Sequence, residues 1–323
     1  SEKIIKWGFI GCGEVTNTKV DLHFKKIEHS EVVAVMSRDI SKAKAYAKER
    51  GIAMDNDAQE LINDEDVNAV YIATPPSSHA TYAIMSMKAG KPVYIEKPMA
   101  VTYEECCRIN RISQETGIPC FVAYYRRYLP YFLKVKSLVE EGIGNVINIQ
   151  IRFAHHLAIW TIQGKPTLRV QPDIAGGGYF YDLAPHQIDI LQDMFGYILE
   201  PTDQEQRGGL YSAEDTLSAC FQFDSGLVGS GSWCFVAHES AREDRIEIIG
   251  DKGMICFSVF TYDPIALHTE RGREEIPVEN PIYVQQPLIQ AVVDHLLGKS
   301  ICNCDGESAT LTNWVMDKIL NKI

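Results

Sequence analysis

Over the first 123 residues, short apolar runs alternate with longer segments of mixed polarity, a pattern that few folds accept. Ile4–Ile10, Glu31–Met36, Val67–Thr74, Val93–Ile95 and Pro119–Ala123 have the length and the β-branched or aromatic content of buried strands. The segments between them, among them Ser41–Arg50, His79–Ala89 and one starting at Thr102, mix apolar and polar residues as helices do. Gly51, Gly90 and Gly117 stand where such helices end. Thr102-Tyr-Glu-Glu105 predicts a capping box, the hydroxyl taking one orphan amide and the carboxylate another. Strands alternating with helices imply a parallel sheet covered on both faces.

After about residue 124 the pattern changes. A helix over Pro130–Glu141 leads into Val146–Phe153, which alternates apolar and polar with period two and so has one wet or ligand-facing side. One helix follows around Leu183–Phe195. Then come hairpin segments, Thr216–Phe223, Leu227–Phe235, Arg245–Gly250 and Met254–Phe260, with turns at Asp224-Ser-Gly226 and Asp251-Lys-Gly253. Helices over Gln286–Leu297 and Ser308–Lys322 finish the chain. The expected architecture is therefore an α/β Rossmann domain with a doubly wound parallel sheet over residues 1–123. An α+β domain with a large, mostly antiparallel open sheet follows over 124–323. A length of 323 residues agrees with two cores.

Charge narrows the partners. Lys and Arg number 31 against 43 Asp and Glu, a net charge of −12, and no basic stripe offsets it. Nucleic acid and membrane surfaces are not expected partners, and no stretch approaches the roughly 18 uninterrupted apolar residues of a spanning helix. Ser1–Lys6 runs into a strand without the pattern of a signal peptide, and the nine cysteines show no C-x-x-C spacing. Reduced thiols and a cytoplasmic location are the expectation. Cys302-Asn303-Cys304 reads as a solvent-side loop rather than a chelate, and no metal is expected.

Gly11-Cys12-Gly13-Glu14-Val15 lies directly after the first strand and before the first helix. There Gly11 permits a tight turn, and Gly13 lets a pyrophosphate approach the backbone at a helix N-terminus. At the end of the second strand, where enzymes that use NAD carry an acid for the ribose 2′-hydroxyl, stand Ser37 and Arg38, with Asp39 one step beyond. A hydroxyl, a guanidinium and Lys42 in the next helical turn suit a 2′-phosphate, so NADP(H) is favoured over NAD(H). The alternative leaves Arg38 in solvent and puts Asp39 on the ribose of NAD. Glu96-Lys97-Pro98 falls at the carboxyl edge of the sheet, where open α/β folds bind ligands. Asp182 and His186, four apart, share one helix face.

Gly11-Cys-Gly13, Ala73-Thr74-Pro75-Pro76 with Ser78-His79, Ala89-Gly-Lys-Pro-Val93 running into Glu96-Lys97-Pro98, Tyr124-Tyr125-Arg126-Arg127-Tyr128, and Gly177-Gly178 running into Asp182-x-x-x-His186 recur together here. With these motifs the chain resembles the Gfo/Idh/MocA family of oxidoreductases along essentially its whole length. It departs at Thr16, the third small position of the glycine fingerprint, and at Ala123-Tyr124-Tyr125, where many members have a Gly-led segment. The resemblance implies a nicotinamide enzyme acting on a small carbohydrate-like substrate, a sugar, a polyol or a related alcohol or ketone. It also implies a homodimer or homotetramer formed through the open sheet. Lys97, Asp182 and His186 match the family's active-site residues. Cofactor contacts are carried over to Gly11, Cys12, Gly13, Glu14, Val15, Ser37, Arg38, Lys42, Thr74, Pro75, His79, Glu96 and Lys97, and a cis bond to Lys97-Pro98.

Oxidising a secondary alcohol removes a proton from the hydroxyl as hydride leaves the same carbon. His186 or Lys97 is suited to that proton, and Lys97 as an ammonium also stabilises a developing alkoxide. Asp182 is expected to set the imidazole's tautomer and bind a neighbouring hydroxyl. Tyr125, Arg127, Tyr128 and His155 are further substrate-binding candidates, His155 and His156 together with Trp160, and Tyr181 or Tyr128 stand next in line for proton transfer. Two other readings remain open: a dihydrodiol or carbonyl reductase of the same fold, and a catalytically silent dinucleotide sensor.

Overall fold

The computed structural model describes residues 2–11, 20–156, 161–162, 165–166, 178–206 and 214–323. Two compact units emerge, one of Ser1–Tyr125 with Pro281–Thr310 and the other of Arg126–Asn280 with Leu311–Ile323. The division at 123/124 drawn from sequence therefore lacks one element: the segment from Pro281 to Thr310 goes back to the first unit. Its helix Gln286–Leu296 carries Leu288, Ile289, Val292 and Val293, all fully buried.

The first unit is built on six strands: β1 (Ile5–Ile10), β2 (Ser30–Met36), β3 (Ala53–Met54), β4 (Ala69–Ile72), β5 (Val93–Ile95) and β6 (Cys120–Val122). They lie in the order β3-β2-β1-β4-β5-β6, and every pairing is parallel. β1, β4 and β5 are buried almost throughout, as strands covered on both faces must be. Rings of Phe9, Phe24 and Tyr71 close at 4.7–5.1 Å into the centre of this core. β3, at two residues, was too short for periodicity to announce, as was the six-residue helix Ala58–Asn63 that follows. The Thr102 hydroxyl accepts from the Glu105 amide at 3.2 Å as expected. The Glu105 carboxylate, however, reaches the Val101 amide, one residue further upstream than the standard box.

The second unit carries an eight-stranded sheet. Its strands are β7 (Val146–Ala154), β10 (Ile198–Gln206), β11 (Thr216–Phe223), β12 (Val228–Cys234), β13 (Glu243–Gly250), β14 (Gly253–Phe257), β15 (Ile265–Thr269) and β16 (Gly272–Ile276). A separate two-stranded piece pairs β8 (Thr161–Ile162) with β9 (Lys165–Pro166). The large sheet runs β10-β11-β12-β7-β13-β14-β15-β16, antiparallel except where β12 lies parallel to β7. Along β7 the inward residues Ile149, Ile151 and Phe153 are buried and Gln150 and Arg152 exposed, so the period-two pattern reads out as one packed and one wet face. β16, Gly-Arg-Glu-Glu-Ile, escaped the sequence reading because it is a charged edge strand with no apolar alternation. On the packed face lies the helix Tyr179–Phe195, where Trp233 meets Phe180 edge-on at 5.1 Å and donates its indole N–H to Gln187 at 2.6 Å. That helix starts at Tyr179 rather than Leu183, so Asp182 falls in its first turn, where the helix dipole favours a carboxylate.

Candidate active site

Where β1 ends, the chain turns at Gly11 with φ of 100°. A Cβ there would lie 2.9 Å from both the Ala73 carbonyl carbon and Thr74 Cγ2, so only glycine lets the turn approach the loop beyond β4 so closely. Beside it opens a cavity of about 360 Å³ whose walls include Gly11, Ser37, Arg38, Lys42, Thr74 and Pro75. Six residues expected to hold a dinucleotide are thus brought together, at the carboxyl ends of β1, β2 and β4. Met36, Ala73, Ser77, Ser78 and Tyr82 complete the walls and were not anticipated as cofactor contacts. Cys12, Gly13, Glu14 and Val15 lie outside the described residues. Arg38 and Asp39 are exposed and Ser37 is buried. The Asp39 carboxylate accepts from the Lys42 amide at 3.1 Å as the N-cap of the helix Ile40–Arg50. A cradle of glycine, hydroxyl and two cations at three strand ends fits the adenosine end of a nicotinamide dinucleotide.

His79 does not border that cavity. Its imidazole is buried, with Nε2 2.6 Å from the Thr74 carbonyl oxygen and Nδ1 3.0 and 3.2 Å from those of Pro98 and Met99. Burial pushes its pKa down, against the three carbonyls that favour the charged ring. The ring joins the loop after β4 to the loop after β5, so its place is to hold Thr74–Pro75 and Lys97–Pro98 in register rather than to touch cofactor. The Lys97–Pro98 bond is cis, and Lys97 is half-buried. The neighbouring Glu96 accepts from the Tyr71 hydroxyl at 2.5 Å and from Gln285 at 2.9 Å. Gln285 in turn accepts from the Tyr94 hydroxyl at 2.6 Å, and its backbone N–H donates to Nδ1 of His23. Glu96 is an anchor for the loop that carries Lys97.

In the second unit His186 is buried, and its Nδ1 lies 2.8 Å from Nη1 of Arg126, a residue that sequence reasoning had not connected with it. The expectation for Arg127 needs correction. Its guanidinium grips Asp189 through two hydrogen bonds of 2.7 and 2.8 Å and reaches Asp193 at 3.3 Å, with Arg127 and Asp189 both buried. An arginine so enclosed is a structural tie, not a substrate ligand. The two arginines are neighbours in the 3-10 turn Tyr125–Tyr128, where successive side chains point a third of a turn apart. They reach positions 186 and 189, which lie almost one turn apart on the same helix. Tyr125 and Tyr128 are half-buried on that turn. Tyr181 is buried, and its hydroxyl accepts from Asn313 at 2.7 Å.

His155 stacks on Phe153 at 6.3 Å and borders a hollow of about 760 Å³ with Leu183 and Phe260. Its Nδ1 is buried without a hydrogen-bond partner among the described residues. Trp160 lies outside them. Cys302 and Cys304 are buried, not solvent-side; the Cys304 thiol donates to the Val122 carbonyl at 3.1 Å. Among the described residues no three His, Cys, Asp or Glu side chains are grouped as a metal site, and no helix is long and apolar enough to cross a membrane.

Residues 5–124 match the oxidoreductase family with the NAD-binding Rossmann fold, and residues 132–256 match the GFO/IDH/MocA C-terminal domain. Oxidoreductase P35 of Formosa agariphila is 38% identical over 319 residues, covering 98% of each chain. The chain belongs to the Gfo/Idh/MocA family. It is a dehydrogenase or reductase with an NAD-binding fold. Another relative, 1,5-anhydro-D-fructose reductase of Ensifer adhaerens, is 27% identical over 291 residues, 85% of this chain and 83% of its own. Levoglucosan dehydrogenase in complex with NADH and levoglucosan superimposes with a TM-score of 0.86 at 21% identity, covering 99% of this chain and 96% of the other, a likeness of fold. Within the family frame, Arg126 and Gln285 are the functional neighbours that sequence reasoning missed. The only signal for Arg126 was the adjacent pair of arginines, and Gln285 had none.

Proposed function

We propose that this enzyme transfers hydride between NADP(H) and a secondary alcohol or ketone of a sugar or polyol. The observation that carries the cofactor choice is the division of labour at the end of β2. Ser37, Arg38 and Lys42 border the cavity, while the carboxylate of Asp39, which would otherwise serve NAD, caps a helix. When bound, the nicotinamide supplies the hydride acceptor or donor. Lys97, His186 and Asp182 supply the rest: a group that moves the hydroxyl proton, a hydrogen bond to the reacting oxygen, and a carboxylate for a neighbouring hydroxyl. The names of the relatives, an anhydrofructose reductase and a levoglucosan dehydrogenase, support a carbohydrate-like substrate. We further assign the wet face of the large sheet to a homodimer or homotetramer contact. None of the eight described cysteines is in a disulfide, in keeping with work in the cytoplasm.

Titrating NADPH and NADH against the wild type and Arg38→Ala tests the reading. A charge-assisted contact to the 2′-phosphate contributes about 1.5–3 kcal/mol, so Arg38→Ala is expected to weaken NADPH roughly tenfold to over a hundredfold and to leave NADH almost unchanged. Equal wild-type affinities for the two cofactors would remove the basis of the choice. A panel of sugars, inositols and apolar diols, followed through the absorbance of the reduced cofactor, then sorts substrate classes. Tight NADP binding with no turnover on any of them would favour a sensor.

A further inference from the structure

Resting on the oxidoreductase reading above, one question of proton placement is decided within the second unit. Arg126 is 6% exposed, and its guanidinium is held from two directions. Nε donates to the Val259 carbonyl oxygen at 3.0 Å, and Cζ sits 5.0 Å from the centre of the Phe260 ring. His186 packs edge-on to the same Phe260 ring at 6.0 Å, so both partners lean on one aromatic side chain. In this setting Nη1 of Arg126 stands 2.8 Å from Nδ1 of His186.

A guanidinium has five N–H donors and no acceptor, and it stays charged inside a protein. The ring nitrogen that faces it must therefore present a lone pair. With Nδ1 as acceptor, the proton of a neutral imidazole sits on Nε2. A doubly protonated ring would set N–H against N–H, and cation against cation, across the 2.8 Å contact.

We propose that Arg126 is a positioning residue that holds His186 as the neutral Nε2–H tautomer, so that His186 meets the substrate oxygen as a hydrogen-bond donor and not as the base that takes its proton. The His186 proton stays on Nε2 in both directions of the reaction, where it steadies the charge on the substrate oxygen, and the hydroxyl proton passes to, and in reduction returns from, a base other than this ring.

The test reads the ring itself. The full-length protein, labelled with ¹⁵N-histidine and free of substrate and cofactor, is examined by long-range ¹H–¹⁵N correlation near pH 7. His186 is assigned by the signals that vanish in His186→Gln. The expected pattern is an unprotonated Nδ1 and a protonated Nε2, retained in Arg126→Lys, whose ammonium also only donates, and lost to a mixture of tautomers in Arg126→Met. On a confirmed substrate Arg126→Met is expected to lower kcat by roughly 10²-fold with part of it restored in Arg126→Lys. A wild-type ring protonated at Nδ1, or at both nitrogens, overturns the proposal, as does an Arg126→Met ring with the wild-type tautomer. Should Arg126→Met fail to fold, the wild-type and Arg126→Lys spectra still decide. Because the spectra need no ligand, a failure here is separate from any failure of the cofactor titration.

Discussion

Arg127 and Asp189 form a buried ion pair whose value lies in its completeness. Burial pushes the Asp189 carboxyl up, and the guanidinium pulls it back toward the ionised form. Removing one partner leaves a charge in a site of about 1% exposure, whereas replacing both by apolar groups of similar size is often tolerated. Arg127→Met is therefore expected to lose about 3–5 kcal/mol of stability in urea titrations, and Arg127→Met with Asp189→Leu to recover much of it. Activity per folded molecule should change little, since neither residue is assigned to substrate. Lys97 and His186 carry the opposite expectation. Lys97→Ala and His186→Ala should each leave NADPH affinity nearly unchanged and lower kcat by about 10²–10⁴-fold. On the proposed reading, in which both serve the same reaction step, they should lose much less together than the product of the two single losses. Near-wild-type turnover in either variant would make that residue structural.

Helices and strands raise a different kind of question, because a short element can be held against its own charges. Asp55, just beyond β3, lies beside Glu60 in the helix Ala58–Asn63 and Asp64 at its C-terminal end. Burial, with those two carboxylates second, raises its pKa to about 6. A folded pKa above the unfolded value means that the fold prefers the protonated acid. The associated stability is present below about pH 4 and is lost as pH rises through about 6. Asp55→Asn, which cannot ionise, should therefore raise Tm at pH 8 and leave it nearly unchanged at pH 4. Equal shifts at both pH values would show that the effect is packing. Sequence reasoning missed β3, which is two residues long, and β16, a charged edge, because neither offers enough apolar period to be seen against its surroundings, and it also missed β10 and β15.

At the scale of the whole molecule, the return of Pro281–Thr310 to the first unit makes the N-terminal domain discontinuous in sequence. Gln285 links His23, Tyr94 and Glu96 into one hydrogen-bonded set, and the helix after it buries four large aliphatic side chains. A fragment of residues 1–125 should therefore expose that apolar surface and aggregate or unfold at low temperature, and fusion of residues 281–310 to its end should restore a cooperative thermal transition. A fragment 1–125 as stable as the fused version would show that the returning segment is dispensable.

How far the sequence carries the reading depends on the range of the interaction. Alternation of buried strands with capped helices, the glycine turn at Gly11 and the cations after β2 are local. Each is set by backbone stereochemistry or by which side of an element is apolar, and all three were legible from residues 4–123. Tertiary structure alone decided that Arg126 meets His186 while its neighbour Arg127 meets Asp189, sixty residues along the chain. It also assigned His79 to three carbonyl oxygens and brought Gln285 under Glu96. Periodicity states that a side chain points inward. Which partner it finds there depends on how the elements are rotated against one another, and a rotation of one residue, about a third of a 3-10 turn, exchanges a contact with His186 for a core ion pair.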